Sequence, residues 1–257
     1  MTSMPSIPNI LADAVYRDIR NERYEVAVLG WAATEPHGLH LPYGTDIVEC
    51  DRIGGEATRR ANLRGARTIL LPTVPYGVNT GQMDLPMTMN MNPTTQMALL
   101  DDIAASLDAH GVPKLVVLNG HGGNDFRQMI RELQPGRKVF LCSAHWYRAV
   151  EKGRFFAAEG DHADEMETSL MLHFSPERVL PVKAMGDGAA KRSRVRAFRE
   201  GWAWAPRRWS AVTRDTGVGD PRAATPEKGE RYFDAVCAAL ADFFVELAAA
   251  DPGDLYV

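Results

Sequence analysis

The sequence predicts an α/β protein, a three-layer α/β/α sandwich built on a mainly parallel sheet. Two observations carry that expectation. Short apolar runs rich in β-branched residues alternate along the chain with longer stretches of helical pattern. Their order and spacing imply right-handed βαβ crossovers, with helices covering both faces of the sheet. Tyr24 to Gly30 reads as a buried strand. A helix over Asp46 to Asn62 follows, opened by an Asp46-x-x-Glu49 pair that resembles a capping box. Arg67 to Pro72 is a second strand, ended by proline, and residues 94–110 form a helix closed by Gly111 and Pro113. Lys114 to Asn119 is the third strand, followed by a helix over Asn124 to Leu133, and Lys138 to Ser143 is the fourth. A helix over 163–174 and a long one over Pro226 to Ala250 complete the set.

The 257 residues suffice for one generous domain, and no repeat or linker divides them, so residues 1–257 are expected to form a single catalytic domain. With 45% hydrophobic and 24% charged residues, the chain is not a disordered tail, a collagen-like fibre or a disulfide-stapled miniprotein. The net charge is −4, from 29 basic and 33 acidic residues, so nothing global argues for nucleic-acid binding. Cys50, Cys142 and Cys237 form no C-x-x-C pair and suit reduced, mostly buried thiols in a reducing compartment. Residues 1–10 lack the basic-then-apolar pattern of a signal peptide, and no run of about 18 apolar residues occurs. The expectation is a cytoplasmic protein without a membrane partner.

One segment departs from the average. Lys183 to Arg214 holds nine basic residues against Asp187 and Glu200, a net of +7 in a chain that sums to −4. The acidic remainder would repel phosphate, which disfavours nucleic acid. A flap over an anionic or polar substrate, or a contact between subunits, fits better, and the interleaved Trp202, Trp204 and Trp209 suit either.

Three motifs carry chemistry. Directly after the first strand, Thr34 to Asp46 gathers Glu35, His37, His40 and Asp46 among glycines and prolines. Taken singly, Asp46 is a helix N-cap and Glu35 a solvated loop carboxylate. Together at the carboxyl end of a parallel strand, where ligand sites form, they supply O and N donors suited to a divalent metal. The third strand ends in Asn119-Gly-His121-Gly-Gly-Asn124, whose glycines permit a close turn that aims His121 over the same sheet edge. In Asp161 to Met171, Glu167 shares a helix face with Leu170, Met171 and Phe174. A carboxylate on an apolar face is costly unless something cationic meets it; an arginine partner or an exposed helix end would account for it singly, and a metal would do so for Glu167, Glu35 and Asp46 together.

These residues resemble the creatininase (creatinine amidohydrolase) family. Its E-x-H-G-x-H-x-P motif with a following Asp stands here as Glu35-Pro-His37-Gly38-Leu-His40-Leu-Pro42 and Asp46. Its G-H-G-G-N turn is Gly120 to Asn124, and its H-A-x-x-x-E-T-S helix is His162, Ala163 and Glu167-Thr168-Ser169. With Gly219-Asp220-Pro221 and Glu227-Lys228-Gly229, the resemblance covers nearly the whole chain.

The resemblance implies a two-metal hydrolase using zinc, manganese or iron. One ion would be held by Glu35, Asp46 and His121, the other by His37, Asp46 and Glu167, with Asp46 bridging. Creatinine hydrolases carry a metal-binding Glu at the place of Gly123, so Glu167 is expected to replace it and creatinine is doubtful as substrate. A metal-bridged hydroxide would attack a carbonyl of a small polar, cyclic molecule. His162 would deliver a proton to the leaving group or else orient Glu167. The family default is amide C–N cleavage; the alternative is C–C cleavage of a cyclic diketo-inositol, and a non-catalytic metal-binding scaffold is a third reading. Many relatives have a His where Gln82 stands, and Gln82 suits hydrogen bonding to a hydroxylated substrate. Trp146, after the fourth strand, is either a core aromatic or a wall for a flat ring. The resemblance further implies a closed homo-oligomer, often a hexamer.

Overall fold

The structure is a computed structural model that describes residues 7–257. Residues 1–6, part of the N-terminal stretch read above, lie outside the described residues. Four strands make one parallel sheet: β1 (Val26–Trp31), β2 (Thr68–Val74), β3 (Lys114–Asn119) and β4 (Phe140–His145), in the order β2-β1-β3-β4. Helices α1 (Thr45–Leu63), α2 (Pro93–His110) and α3 (Arg127–Leu133) make the crossovers. After β4 come α4 (Glu165–Phe174) and the long C-terminal α5 (Pro226–Ala249).

Side-chain alternation along the strands divides the core in two. Val26 and Val28 of β1 join Ile53, Leu70, Leu118, Leu170 and Phe244 under α1, α4 and α5. Ala27, Leu29 and Trp31 point the other way, into a cluster with Leu100, Ala104, Phe126 and Met129 of the α2–α3 layer. Every residue of β1 and β3 is buried, as strands with helices on both faces require. The expected three-layer architecture is therefore the observed one. Among the described residues no helix is long and apolar enough to cross a membrane, and all three cysteines are free thiols.

Several boundaries differ from expectation for identifiable reasons. Strand β2 runs past Pro72 to Val74. It is an edge strand, where a missing N–H is tolerated, and its register to β1 shifts beyond Leu29, so the chain bulges around the proline. Strands β1 and β4 both begin two residues later than their apolar runs. Helix α3 starts at Arg127 rather than Asn124, because Asn124 is engaged in the turn after β3. No capping box forms at Asp46: Gly44 is the N-cap of α1 and makes no side-chain cap, and Asp46 turns its carboxylate inward. In contrast, α4 and α5 are capped as their sequences allow, by Asp164 onto the amides of Met166 and Glu167 and by Thr225 onto that of Lys228.

The strand order determines where a ligand can bind. The chain leaves β1 toward β2 on one side and returns to β3 on the other, so the topological switch point lies between β1 and β3. Trp31 pairs with Asn119 at the carboxyl ends of these strands. The loops that follow, carrying Glu35, His37 and His121, therefore start side by side.

Candidate metal centre

At that switch point the loop after β1 is shaped by its own backbone. Gly38 sits at φ 60, where glycine is unstrained, and an isolated bridge pairs His37 with Leu41. The turn after β3 is held by two asparagines of its own motif. Asn119 accepts from the His121 amide at 3.2 Å and from Asn124 Nδ2 at 3.0 Å, and its own Nδ2 donates to the His121 carbonyl at 2.8 Å. Asn124 Oδ1 in turn accepts from the Val78 amide at 3.0 Å and from Gln96 Nε2 at 2.8 Å. Gly123 has no room for a side chain: a Cβ there would lie 2.2 Å from the Val78 carbonyl oxygen.

These loops and the start of α4 bring the predicted ligands together. Glu35, His37, Asp46, His121, His162 and Glu167 are all buried. Glu35 Oε1 lies 2.8 Å from His121 Nδ1, and Asp46 Oδ2 lies 3.3 Å from the same nitrogen. Asp46 Oδ1 is 2.7 Å from His37 Nε2. Ligand atoms of Glu35, Asp46 and His121 lie within 4.8 Å of one another, as do those of His37, Asp46 and Glu167, and those of Glu35, His37 and His162.

Backbone carbonyls decide which nitrogen of each histidine faces inward. His37 Nδ1 donates to the Glu35 carbonyl at 3.0 Å, His121 Nε2 to the Val78 carbonyl at 3.1 Å, and His162 Nε2 to the Pro36 carbonyl at 2.8 Å. A carbonyl can only accept, so each ring keeps a proton on its outer nitrogen and turns the inner one to the carboxylates, where a cation would stand in place of a second proton. His37 Nε2 and Asp46 Oδ2 are buried without a hydrogen-bond partner. Buried donors and acceptors are otherwise nearly always paired, so these orphans fit a cation.

Gln82 Nε2 donates to Glu35 Oε2, leaving the other oxygen toward His121. Glu167 Oε2 accepts from the Ala163 amide, which Ala163 can offer because its backbone is left-handed at φ 48. No hydrogen bond joins the His162 side chain to Glu167 among the described residues, so the geometry gives His162 no direct hold on that carboxylate.

The electrostatics follow from three carboxylates and three imidazoles in a dry space. Burial pushes the Glu35 carboxyl up, but His121 and His162 beside it hold it down at about 2. Burial favours neutral His37, yet the Asp46, Glu167 and Glu35 carboxylates raise it to about 10. His121 is raised by Glu35 and Asp46 against its burial. Burial lifts Glu167 to about 8, helped by Asp164 and Asp46 and opposed by His37. His162 is lowered, chiefly by burial. The carboxylates thus draw protons onto His37 and His121, as a cluster of buried negative charge must.

A cavity of about 360 Å³ opens onto these residues. Gln82 lines it; Trp146 does not. Trp146 is 1% exposed and packs in the core beneath Gly120, so the core-aromatic reading of that residue is the observed one. The neighbouring Tyr147 lines the wall instead, with Arg148 and Lys152, and the tryptophan signal lay one residue away from it. His40 turns from the centre to Thr168 Oγ1 at 2.8 Å, and burial lowers it to about 4. Sequence reasoning took Glu49 only as half of a capping box, but it is fully buried on α1 with both oxygens unpaired and its carboxyl pushed well up by burial. The basic segment supplies part of the wall through Trp204, Arg207 and Trp209.

Comparison with known proteins finds relatives over most of the chain. The family model for creatinine amidohydrolases matches residues 12–244. A crystal structure from Bacteroides fragilis, provisionally described as a creatinine amidohydrolase, superposes with a TM-score of 0.91 at 42% identity, over 99% of this chain and 100% of that one. The mycofactocin precursor peptide peptidase of Mycobacterium ulcerans is 30% identical over 209 residues, 78% of this chain and 77% of its own. The 3-dehydro-scyllo-inosose hydrolase of Thermotoga maritima is 25% identical over 170 residues, 62% of this chain and 53% of its own.

Proposed function

The chain belongs to the creatininase family of hydrolases, and from that premise we propose that it is a dinuclear metal-dependent hydrolase of a small polar substrate. Glu35, Asp46 and His121 would hold one divalent ion, zinc, manganese or iron, and His37, Asp46 and Glu167 the other. The observation that carries this reading is the pair of Asp46 oxygens, Oδ1 facing His37 and Oδ2 facing His121. A carboxylate so placed serves two centres at once. When bound, such ions supply an acidified water and polarise a carbonyl.

The chain's own residues do the rest. Gln82 fixes Glu35 through one oxygen, and the carbonyls of Glu35 and Val78 hold the tautomers of His37 and His121. His162 presents a bare Nδ1 beside Glu35 at 3.8 Å, with Nε2 occupied by Pro36. That nitrogen is fitted to take a proton from the attacking water and return it to the leaving group. Arg148, Lys152 and Tyr147 wall the outer cavity and would contact polar groups of the substrate.

Amide C–N cleavage is the leading reaction. The absence of any side chain at position 123, and of space for one, separates this site from creatinine hydrolysis proper. One observation favours C–C cleavage of a cyclic diketone as the second reading. Gln82 Oε1 is buried in the cavity lining without a partner, an acceptor suited to a substrate hydroxyl, and the Thermotoga maritima relative is an inosose hydrolase. The test is a screen of the metal-replete protein against creatinine, formamides, cyclic ureides and diketo-inositols. Ammonia or amine release is the expected result; ketone consumption without it would select the C–C reading, and no turnover by metal-replete protein would count against both. We further read the protein as a homo-oligomer, up to a hexamer, which sedimentation would size.

A further inference from the structure

The His162 ring is held between two other rings. The His37 ring centroid lies 4.3 Å away at a 40° tilt, and the Trp209 ring 4.7 Å away at 58°. Trp209 comes from the basic segment, far from His162 in sequence. It is 8% exposed, whereas Trp202 and Trp204 in the same segment are 75% and 83% exposed. Of the three, Trp209 alone is driven deep into the protein, and the ring it packs on is His162.

The outer side of Trp209 is fastened as well. The Arg207 guanidinium carbon lies 4.6 Å from its ring centroid, within cation–π range. Arg207 Nη1 donates to Asp161, the residue before His162, at 2.8 Å. Next along, Arg208 Nε at 3.3 Å and Ser210 Oγ both donate to Asp84, two residues after the cavity-lining Thr80–Gln82. Beneath this stretch Gly81 meets the Arg207 backbone so closely that a Cβ there would stand 2.0 Å from the carbonyl oxygen. The segment is thus tied to the stretches that carry Asp161 and Asp84, and a ladder of flat groups runs Arg207–Trp209–His162–His37.

His162 needs such a clamp. Its side chain makes one hydrogen bond, from Nε2 to the Pro36 carbonyl, and a single bond leaves an imidazole free to tilt about it. Only neighbours on its faces can keep Nδ1 directed at the cavity. We propose that Trp209 is the positioning residue for His162: packed on the ring from the basic segment, the indole fixes the imidazole with Nδ1 toward the reacting atoms. The inference rests on the reading of His162 as the proton-transfer group.

The test uses metal-replete protein and the substrate identified by the screen above. Trp209→Leu keeps apolar bulk but removes the ring, and Trp209→Phe restores a ring. Trp209→Leu is expected to lower kcat about tenfold or more while KM changes less than about twofold and metal content holds. Trp209→Phe should recover most of the loss. In a His162→Ala background, Trp209→Leu should cost nothing further, because the group it positions is gone. Wild-type kcat in Trp209→Leu, or losses that multiply in the double variant, overturns the proposal. Full turnover by His162→Ala would instead remove the proton-transfer reading itself, so the two failures are distinct. A crystal structure of Trp209→Leu decides the positioning without any turnover. A His162 ring tilted away from Glu35 supports the proposal, and an unmoved ring overturns it. Should Trp209→Leu not fold, Asp84→Ala releases the exposed anchor of the segment; the same kcat loss supports the proposal and wild-type kcat overturns it.

Discussion

His37 Nε2 and Asp46 Oδ1 lie 2.7 Å apart, both buried away from water. His37 gives the proton on Nδ1 to the Glu35 carbonyl, so in this dry site the approach of Nε2 to Asp46 is bridged either by a second proton, which the neighbouring carboxylates favour, or by a cation. Such an approach is repulsive unless positive charge is shared between them. Asp46 makes a similar approach to His121 through its other oxygen. A group common to both approaches should control both ions.

Asp46→Ala should therefore abolish binding at both positions rather than at one. Elemental analysis of the purified variant is expected to fall from up to two ions per chain toward none, while His37→Ala leaves the Glu35–Asp46–His121 group able to hold its ion. Unaltered metal content in Asp46→Ala would remove Asp46 from the bridging role.

Loading should release protons. In the metal-free protein His37 is held up at about 10 and Glu167 at about 8, so both are largely protonated at pH 7. Each must lose its proton to bind a cation, and affinity should climb with pH until both have titrated. The sign follows directly: raised values mean that protons compete at and below neutrality. Calorimetric titration in buffers of different ionisation enthalpy measures the release, and an uptake that is independent of buffer would contradict it.

His162→Ala should reduce kcat by roughly 10²–10⁴-fold, the usual range for losing a proton-transfer group, with metal content unchanged. The ring's Nδ1 is 3.8 Å from Glu35 Oε1, so a parallel loss of metal would assign it to the ligand set instead.

Gly123→Ala should destabilise the fold by about 1–3 kcal/mol, the usual range for overpacking a tight site. The added methyl would meet the Val78 carbonyl oxygen at 2.2 Å and His121 Nε2 at 2.5 Å, displacing a metal-facing ring as well. Denaturant unfolding reads the stability and metal content the displacement; wild-type values for both would show that the turn can yield.

Much of the site was legible because its residues are local. Glu35, His37 and Asp46 fall within one loop and the first turn of the following helix, and the asparagines that fix His121 flank it in the same turn. Glu167 was recognisable as a carboxylate on an apolar helix face. The two readings of Trp146 could not be separated for an equally local reason: Trp146 and Tyr147 lie on the short 3-10 turn after β4, where adjacent side chains diverge by about a third of a turn. Its indole enters the core, and Tyr147 turns to the cavity. The helix-cap reading of Asp46 had the same limit: residue type and spacing suit a cap, but only the packed structure shows where the carboxylate turns.

By itself the sequence determined the layers, the parallel sheet and the chemical character of the centre, because alternation, crossover spacing and ligand type are properties of neighbouring residues. The tertiary structure decided what depends on residues distant in the chain. The switch point between β1 and β3 brings Glu35 beside His121. Asp46 faces two histidines with separate oxygens, and Val78 closes the space at Gly123. The basic segment comes to rest with Trp209 on His162, and no local pattern could have said so, since the contact arises from how the whole chain closes around one sheet edge.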